Sequence, residues 1–169
     1  MAINYANRGK HLEVLVDHSN VQYKRKGWAR IDKVPTPVKV RRQNKLGRIT
    51  DGWFEKKSTV DYAGISHGRS IVFDAKSTKI DKRFDLKNLE EHQYQYLKDC
   101  HHQGAISFVL VEFSRKKEIY ILPFEKLEIW WISAQGGGRK SIPYEFFLTE
   151  CDLVSQGRGV PLDYLKVVM

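Results

Sequence analysis

The sequence predicts an α/β fold, and three features lead to that prediction. Short apolar runs of strand length, such as Ile106–Phe113, alternate along the chain with segments whose apolar residues recur at helical spacing. The chain has 169 residues, enough for one compact core with little to spare for a second. No internal repeat or low-complexity tail interrupts the pattern. We therefore expect a single domain covering residues 1–169.

The first third of the chain is predicted to form a helix, a strand and a basic protrusion. Residues 8–26 have an apolar helical face, and Gly27 can end this helix before the strand-like segment WARIDKV. Residues 35–58 open with two prolines, lack a sustained apolar period and carry seven Lys or Arg residues. Such a segment cannot be buried cheaply, so we expect it to project outward.

The rest of the chain alternates between strands and helices. Strand candidates at residues 58–62 and 70–76 are joined by the turn-rich sequence AGISHG, which predicts a hairpin. LKNLEEHQYQYLKDC has helical spacing and ends at Gly104, and the strands AISFVLVEF and EIYILP follow it. A helix at about 124–134, the loop QGGGRKSIP and a short helix near LDYLKVV complete the prediction.

The charge of the chain favours a polyanionic partner. Lys and Arg number 29 against 20 Asp and Glu, which gives a formal charge of +9 and a pI near 9.5. Nucleic acid is the first candidate, because the sequence has no apolar segment long enough for a bilayer and no lysine-rich amphipathic helix. Cys100 and Cys151 form no disulfide framework, and the N-terminus lacks an apolar signal core, so we expect a cytoplasmic protein.

Asp74 and Lys76 follow an apolar run and are separated by one residue. Alternate side chains of a strand share a face, so both groups project together. If the predicted hairpin brings Asp61 beside Asp74, the pair offers two hard oxygen ligands for Mg²⁺, with the Ala75 carbonyl as a candidate third. Lys76 can then stabilise charge on a phosphate or help to deprotonate the attacking water. The alternative is a turn aspartate and a surface ion pair, but SIVFDA is apolar right up to the aspartate, which favours polar groups at a buried strand end.

A longer set of motifs surrounds these residues. TVDYAG, IVFDAKSTK, FDLKNLEEHQYQYL and GAISFVLVEF, preceded by YANRGKHLE and followed by GGGRKSIP, resemble the RecU-type Holliday junction resolvases of Gram-positive bacteria and their phages. Nearly the whole chain takes part in the resemblance. It implies the restriction-endonuclease-like, PD-(D/E)xK nuclease fold, with a mixed central sheet flanked by helices. It also implies a homodimer that uses Mg²⁺ or Mn²⁺ to nick four-way DNA junctions symmetrically, with recombinase or branch-migration proteins as candidate partners.

The resemblance also implies roles for individual residues. Asp61 and Asp74 match the metal carboxylates, Lys76 the motif lysine, and Thr59 and Gln93 supporting residues of the active site. Asp74 is a departure, because the family pattern usually has Glu there, but the shorter side chain still supplies a carboxylate. Gln93 also lies on the apolar stripe of a predicted helix, where a buried amide needs polar partners at the metal site or on the backbone. Glu13 is either a member of the metal shell, as an early helical Glu is in related nucleases, or an ordinary surface glutamate.

Candidate DNA contacts fall in three basic places. Arg8 and Lys10 lie before the first helical turns, and Arg139 and Lys140 follow a run of glycines that lacks the spacing of a nucleotide-binding loop. The third group lies in the protrusion and consists of Lys39, Arg41, Arg42, Lys45 and Arg48. In RecU-like proteins this position holds a stalk that enters the open centre of the junction. The alternatives are solvated charges and a flexible loop with non-specific affinity for DNA.

Two other functions share parts of this pattern. A non-catalytic junction-binding accessory protein would keep the fold, and Asp74 in place of Glu is its only sequence support. A restriction-like nuclease acting on linear duplex would share the metal motif but would leave the basic protrusion without an explanation.

Overall fold

The computed structural model describes residues 10–54 and 59–169, and its helices pack on both faces of one central sheet. The helices of the described residues are α1 (Lys10–Arg25), α2 (Glu91–His102), α3 (Phe124–Gln135), α4 (Tyr144–Glu150) and α5 (Leu165–Val168). Their strands are β1 (Arg30–Lys33), β2 (Val38–Gln43), β3 (Ile49–Phe54), β4 (Tyr62–Ser66), β5 (Arg69–Thr78), β6 (Arg83–Asp85), β7 (Ile106–Phe113), β8 (Glu118–Pro123), β9 (Ser141–Pro143) and β10 (Asp152–Leu153). Within these two ranges, none of the helices combines the length and apolarity that crossing a membrane requires.

The central sheet is mixed. Its six strands run in the order β1-β4-β5-β7-β8-β10, and β5 pairs with β7 in parallel while the other neighbours are antiparallel. β6 and β9 form a separate two-stranded ladder. The predicted α/β class is confirmed, and a mixed sheet flanked by helices is consistent with the restriction-endonuclease-like fold.

Two hydrophobic clusters lie on opposite faces of the sheet. Phe73 and Phe108 face α1 and the C-terminal segment, residues 154–168, whereas Val72 and Val109 face α2 and α3. On the α1 side the ring of Phe73 stacks on Phe108, with centroids 4.7 Å apart, and on Tyr62 at 4.9 Å. β5 and β7 are therefore buried on both faces, which explains why their sequences read as continuous apolar runs.

The predicted protrusion forms a β-hairpin. Among the described strands β2 pairs with β3 alone, and every residue from 35 to 53 is exposed. At its tip, Asn44 Oδ1 accepts hydrogen bonds from the backbone N–H groups of Leu46 (3.0 Å) and Arg48 (2.9 Å). Gly47 adopts a left-handed backbone with φ of +76°. Side chain and backbone together thus define the turn. Residues 55–58 of the predicted protrusion lie outside the described residues.

Several predicted boundaries were wrong. The strand expected at 58–62 is β4, which begins only at Tyr62, and the turn of this hairpin is His67 and Gly68 rather than the whole of AGISHG. The helix expected from Leu86 starts at Glu91, because residues 86–88 form a 3₁₀ turn. α4 and the short strands β6, β9 and β10 were not predicted. The strands β7 and β8 and the helix α3 are confirmed.

Candidate active site

Two carboxylates meet where β4 begins and the buried part of β5 ends. The antiparallel register pairs Tyr62 with Phe73, so the preceding Asp61 falls beside Asp74. The backbone N–H of Asp61 donates to Asp74 Oδ1 at 3.1 Å. In return, the backbone N–H of Ala75 donates to Asp61 Oδ2 at 3.1 Å. These reciprocal hydrogen bonds bring the two predicted carboxylates together even though Asp61 itself lies outside the strand.

Lys76 lies on the same face of β5 as Asp74. Its ammonium nitrogen is 3.6 Å from Asp74 Oδ1 and 3.9 Å from Asp61 Oδ2, and 18% of its side chain is exposed. A partly buried cation beside two carboxylates offsets their mutual repulsion. The same cation is positioned to contact a third anionic group entering from solvent.

Gln93 reaches Asp74 from the first turn of α2. The backbone N–H of Glu90, which caps this helix, donates to Gln93 Oε1 at 3.1 Å, and Gln93 Nε2 donates to Asp74 Oδ1 at 3.0 Å. A backbone N–H can only donate, so the atom facing it must be the amide oxygen. The orientation of the amide is thereby fixed, and Gln93 presents its NH₂ group to the carboxylate.

The surroundings of Asp74 disfavour its charged form. The residue is fully buried, and its Oδ2 atom has no hydrogen-bond partner among the described residues. Burial raises the pKa of Asp74 to about 8, Lys76 lowers it, and the charge of Asp61 raises it further. A buried carboxylate oxygen without a donor costs about 1–3 kcal/mol, so a cation at this position would supply the missing partner.

The donor set fits a small hard cation. Asp61 and Asp74 offer carboxylate oxygens, which Mg²⁺ and Mn²⁺ prefer. Within residues 10–54 and 59–169 no three His, Cys, Asp or Glu side chains gather into a metal-binding group. The remaining ligands of a cation here would therefore come from backbone carbonyls, waters or a DNA phosphate, as is usual for Mg²⁺.

Glu13 lies on α1, which packs on the opposite face of the sheet from α2. Its Oε2 atom accepts a hydrogen bond from Lys33 at 2.6 Å, and this bond raises the pKa of Lys33. One turn later, Asp17 Oδ1 accepts from the Tyr62 hydroxyl at 2.8 Å. The structure therefore engages Glu13 with Lys33, and its membership of the metal shell stays a prediction.

Thr59 is exposed and lies two residues before Asp61. Its side chain is a hydrogen-bond partner of the Tyr96 hydroxyl, whose pKa is raised by burial and lowered by this bond. Tyr96 was not predicted as part of the site. The available signal was its spacing of three residues from Gln93, which places both on one face of α2.

The predicted DNA contacts are spread over the molecule. Arg8 lies outside the described residues, and Lys10 is exposed at the start of α1. The cations of the hairpin are all exposed, and Arg41 lies 3.8 Å from Asp51 across the two strands. Arg139 and Lys140 precede β9, where Arg139 donates to the Ser141 hydroxyl at 3.1 Å. The five hairpin cations are Lys39, Arg41, Arg42, Lys45 and Arg48.

Comparison with known proteins gives a consistent match over this whole arrangement. The family model described as RecU, Recombination protein U, matches residues 7–169. The chain belongs to the RecU family. It is 38% identical over 177 residues to Holliday junction resolvase RecU of Geobacillus kaustophilus (strain HTA426), covering 99% of this chain and 86% of that protein.

Two further RecU relatives show similar coverage. The protein of the same name from Levilactobacillus brevis is 35% identical over 98% of this chain and 84% of its own length. The one from Staphylococcus aureus (strain MRSA252) is 35% identical over 98% of this chain and 82% of its own length. The resemblance drawn from the sequence motifs is confirmed, and it extends over the hairpin of β4 and β5, α2 and the residues that follow α4.

Proposed function

We propose that this RecU protein is a Holliday junction resolvase, a structure-specific endonuclease that makes paired nicks in four-way DNA during recombination and repair. The observation that carries the proposal is the unsatisfied, fully buried carboxylate oxygen of Asp74 beside Asp61 and Lys76. A buried acid pair with one cationic neighbour is a costly arrangement for stability alone. The names of the relatives supply the substrate class.

Asp61 and Asp74 would hold the divalent cation, for which we propose Mg²⁺ or Mn²⁺. When bound, this cation supplies the Lewis-acid charge that phosphodiester hydrolysis needs. Asp61 is fixed for this task by the N–H of Ala75, and Asp74 by the N–H of Asp61 and the amide of Gln93. Both carboxylates are thus oriented by groups that cannot move without disturbing the hairpin of β4 and β5 or the helix α2.

Lys76 stabilises the negative charge that develops on the scissile phosphate. Its ammonium group already faces two anions at 3.6 and 3.9 Å, so a phosphate oxygen entering the site adds a third. Thr59, with its partner Tyr96, and Glu13 form the outer part of the site and orient groups around the phosphate. Their removal should slow cutting less than removal of Asp61, Asp74 or Lys76.

The DNA is held by cations outside the acid pair. We propose that the hairpin of β2 and β3 enters the centre of the junction, where phosphates of four arms converge, and that Arg8, Lys10, Arg139 and Lys140 contact backbone phosphates. Support comes from the exposure of the whole hairpin and from the hydrogen bonds that shape its tip.

A homodimer completes the proposal, since two nicks related by a two-fold axis are most simply made by two identical sites. Cys100 and Cys151 are free thiols, which supports a cytoplasmic location. Binding of recombinase or branch-migration proteins remains a prediction from the family.

The test compares DNA shapes. Purified protein is incubated with labelled four-way junction, replication fork and linear duplex, each with Mg²⁺, Mn²⁺ or EDTA. We expect paired cuts in the junction with either metal and none with EDTA. Junction binding without cutting under every metal condition would indicate an accessory protein. Equal cutting of linear duplex would indicate a general nuclease.

A further inference from the structure

The turn between β7 and β8 carries three consecutive exposed cations: Arg115, Lys116 and Lys117. The backbone N–H of Lys116 closes the turn by donating to the carbonyl of Phe113 at 3.0 Å. Lys117 has a φ of +57°, in the left-handed region where glycine or asparagine is accommodated more easily. A lysine therefore occupies a position at which the backbone conformation is strained for a residue with a side chain. We call residues 115–117 the basic turn.

The basic turn lies at the same edge of the sheet as the candidate active site. In the parallel pairing of β5 and β7, Lys76 is opposite Val111. The backbone N–H of Ser114 donates to the carbonyl of Thr78 at 2.9 Å, so the turn begins where β5 ends. At about 3.3 Å per strand residue, the basic turn is roughly 10–15 Å from the level of Lys76.

Three of the carboxylates near the basic turn, Glu112, Glu118 and Asp81, are engaged with protein groups. Glu112 is buried and its Oε1 atom bonds to His11 at 2.8 Å, and Glu118 accepts from the hydroxyls of Tyr120 and Tyr144. Asp81 lies 3.8 Å from the Arg115 guanidinium, which nevertheless leaves 68% of the arginine side chain exposed. The acids therefore leave the outer surface of the turn positively charged.

The cations of the turn also reach both faces of the sheet. Lys116 lies over the ring of Tyr144, 4.2 Å from its centroid, on the side of α4. On the α1 side, Lys117 and Lys79 line a cleft of about 590 Å³ together with His11. This places positive charge on each side of the edge from which Asp74 and Lys76 project.

We propose that the basic turn binds the phosphate backbone of a duplex arm, roughly three to four base pairs from the scissile phosphate at 3.4 Å per base pair along each strand. The inference rests on the proposed function for the kind of DNA and for the position of the cut. It adds a contact with a duplex arm to those proposed for the acid pair and for the hairpin of β2 and β3. It therefore predicts the direction in which that arm extends from the active site.

The test removes the charge from one side of the contact at a time, either from the DNA phosphates or from the cations of the basic turn. Phosphates of a four-way junction and of a linear duplex are replaced by methylphosphonates in windows of three, and affinity is measured by anisotropy in EDTA. The variant carries Arg115→Ala, Lys116→Ala and Lys117→Ala. The matched control carries Lys24→Ala, Arg25→Ala and Lys26→Ala, another exposed cationic triplet, placed where α1 ends at the opposite edge of the sheet.

We expect the junction affinity of the wild-type protein to fall when the neutral window covers roughly the third and fourth base pairs from the scissile phosphate, and the affinity of the turn variant to be unchanged by that window. The variant should also flatten the plot of log affinity against log salt by up to about 2.7, or about 0.9 for each lost contact, while the control keeps the wild-type slope. Lys117→Gly relieves the strained backbone, so it should raise Tm while lowering affinity.

The inference is overturned if the turn variant responds to every window as the wild type does, or if the control triplet loses as much affinity. Failure of the proposed function would look different. In that case the wild-type protein would not prefer the junction to the duplex, while the turn variant would still show weaker binding and a flatter salt dependence than the wild type on linear DNA.

Discussion

Asp74 is a buried acid whose surroundings disfavour its charged form. Its charge is needed to bind the metal, and the same charge lowers the stability of the folded protein when no metal is bound. Replacing it with Asn removes the charge and keeps the side-chain shape. We expect Asp74→Asn to bind junctions with wild-type affinity, because the DNA-binding cations are untouched, and to cut at background rates, because a cation ligand is lost. Binding in EDTA and cutting in Mg²⁺ check the two halves. Wild-type cutting by this variant would remove Asp74 from the mechanism.

The same residue predicts a pH-dependent stability. Its pKa is about 8 in the folded protein and near 3.8 when unfolded, so the folded state holds the proton more tightly. This contribution to stability is present below about pH 4 and is lost as the pH rises through 8. In EDTA, Asp74→Asn should therefore gain stability over the wild type as the pH rises, by up to about 4 kcal/mol between pH 5 and 8.5. Denaturant unfolding from pH 5 to 8.5 measures it, and a gap that does not change with pH would contradict the assignment.

The orientation of Gln93 makes a separate prediction. Because its NH₂ group donates to Asp74, Gln93→Glu places an acceptor against an acceptor. We expect metal affinity and cutting to fall about tenfold or more, as for other residues that orient metal ligands. Gln95→Glu is the matched control, since Gln95 donates to Asp99 on the exposed side of the same helix. If the oxygen of Gln93 ligated the metal directly, a glutamate there would keep or strengthen metal binding.

At the scale of elements, the hairpin of β2 and β3 distinguishes a junction resolvase from a nuclease with the same metal site. Replacing its five cations with alanine leaves Asp61, Asp74 and Lys76 in place. If they meet the crowded central phosphates, junction affinity should fall far more than duplex affinity, and the salt dependence should flatten by up to about 0.9 per contact. The ratio of junction to duplex affinity across a salt series measures this. An unchanged ratio would mean that the hairpin gives only non-specific affinity.

The elements also show where sequence reasoning reaches its limit. The apolar runs of β5 and β7 and the spacing of Asp74 and Lys76 were sufficient to predict the strand that carries the candidate site. AGISHG was interpreted as a turn because of its glycines, yet Gly64 lies within β4. A Cβ atom there would come within 2.1 Å of the Arg30 carbonyl, so this glycine permits the close approach of β1. Only the tertiary structure distinguishes the two uses of glycine.

The candidate site was predicted unevenly for the same reason. Asp61, Asp74 and Lys76 depend on strand pairing and alternation, which are local rules. Tyr96 depends on how α2 packs over Thr59, and the engagement of Glu13 with Lys33 depends on where α1 crosses β1. The contact between Glu13 and Lys33 leaves no period or spacing to detect. The spacing of Tyr96 from Gln93 shows that the two share a face of α2, but not which residue that face contacts.

At the scale of the whole molecule, the proposal requires two active sites acting on one junction. We expect a homodimer at micromolar concentration, because an isologous pair presents its sites to strands related by a two-fold axis. Sedimentation velocity across a concentration series, with and without junction DNA, gives the mass of the free and bound protein. A strict monomer that still cuts both strands together would contradict this arrangement.

The most direct measurement of paired, metal-dependent nicking uses a supercoiled plasmid that extrudes a cruciform. Two nicks within one binding event convert the plasmid to a linear molecule, whereas a single nick releases the supercoiling, reabsorbs the cruciform and leaves a nicked circle. We predict linear product with Mg²⁺ or Mn²⁺, none with EDTA and none from Asp74→Asn. Nicked circles alone, or linear product that forms equally without a divalent metal, would contradict the account.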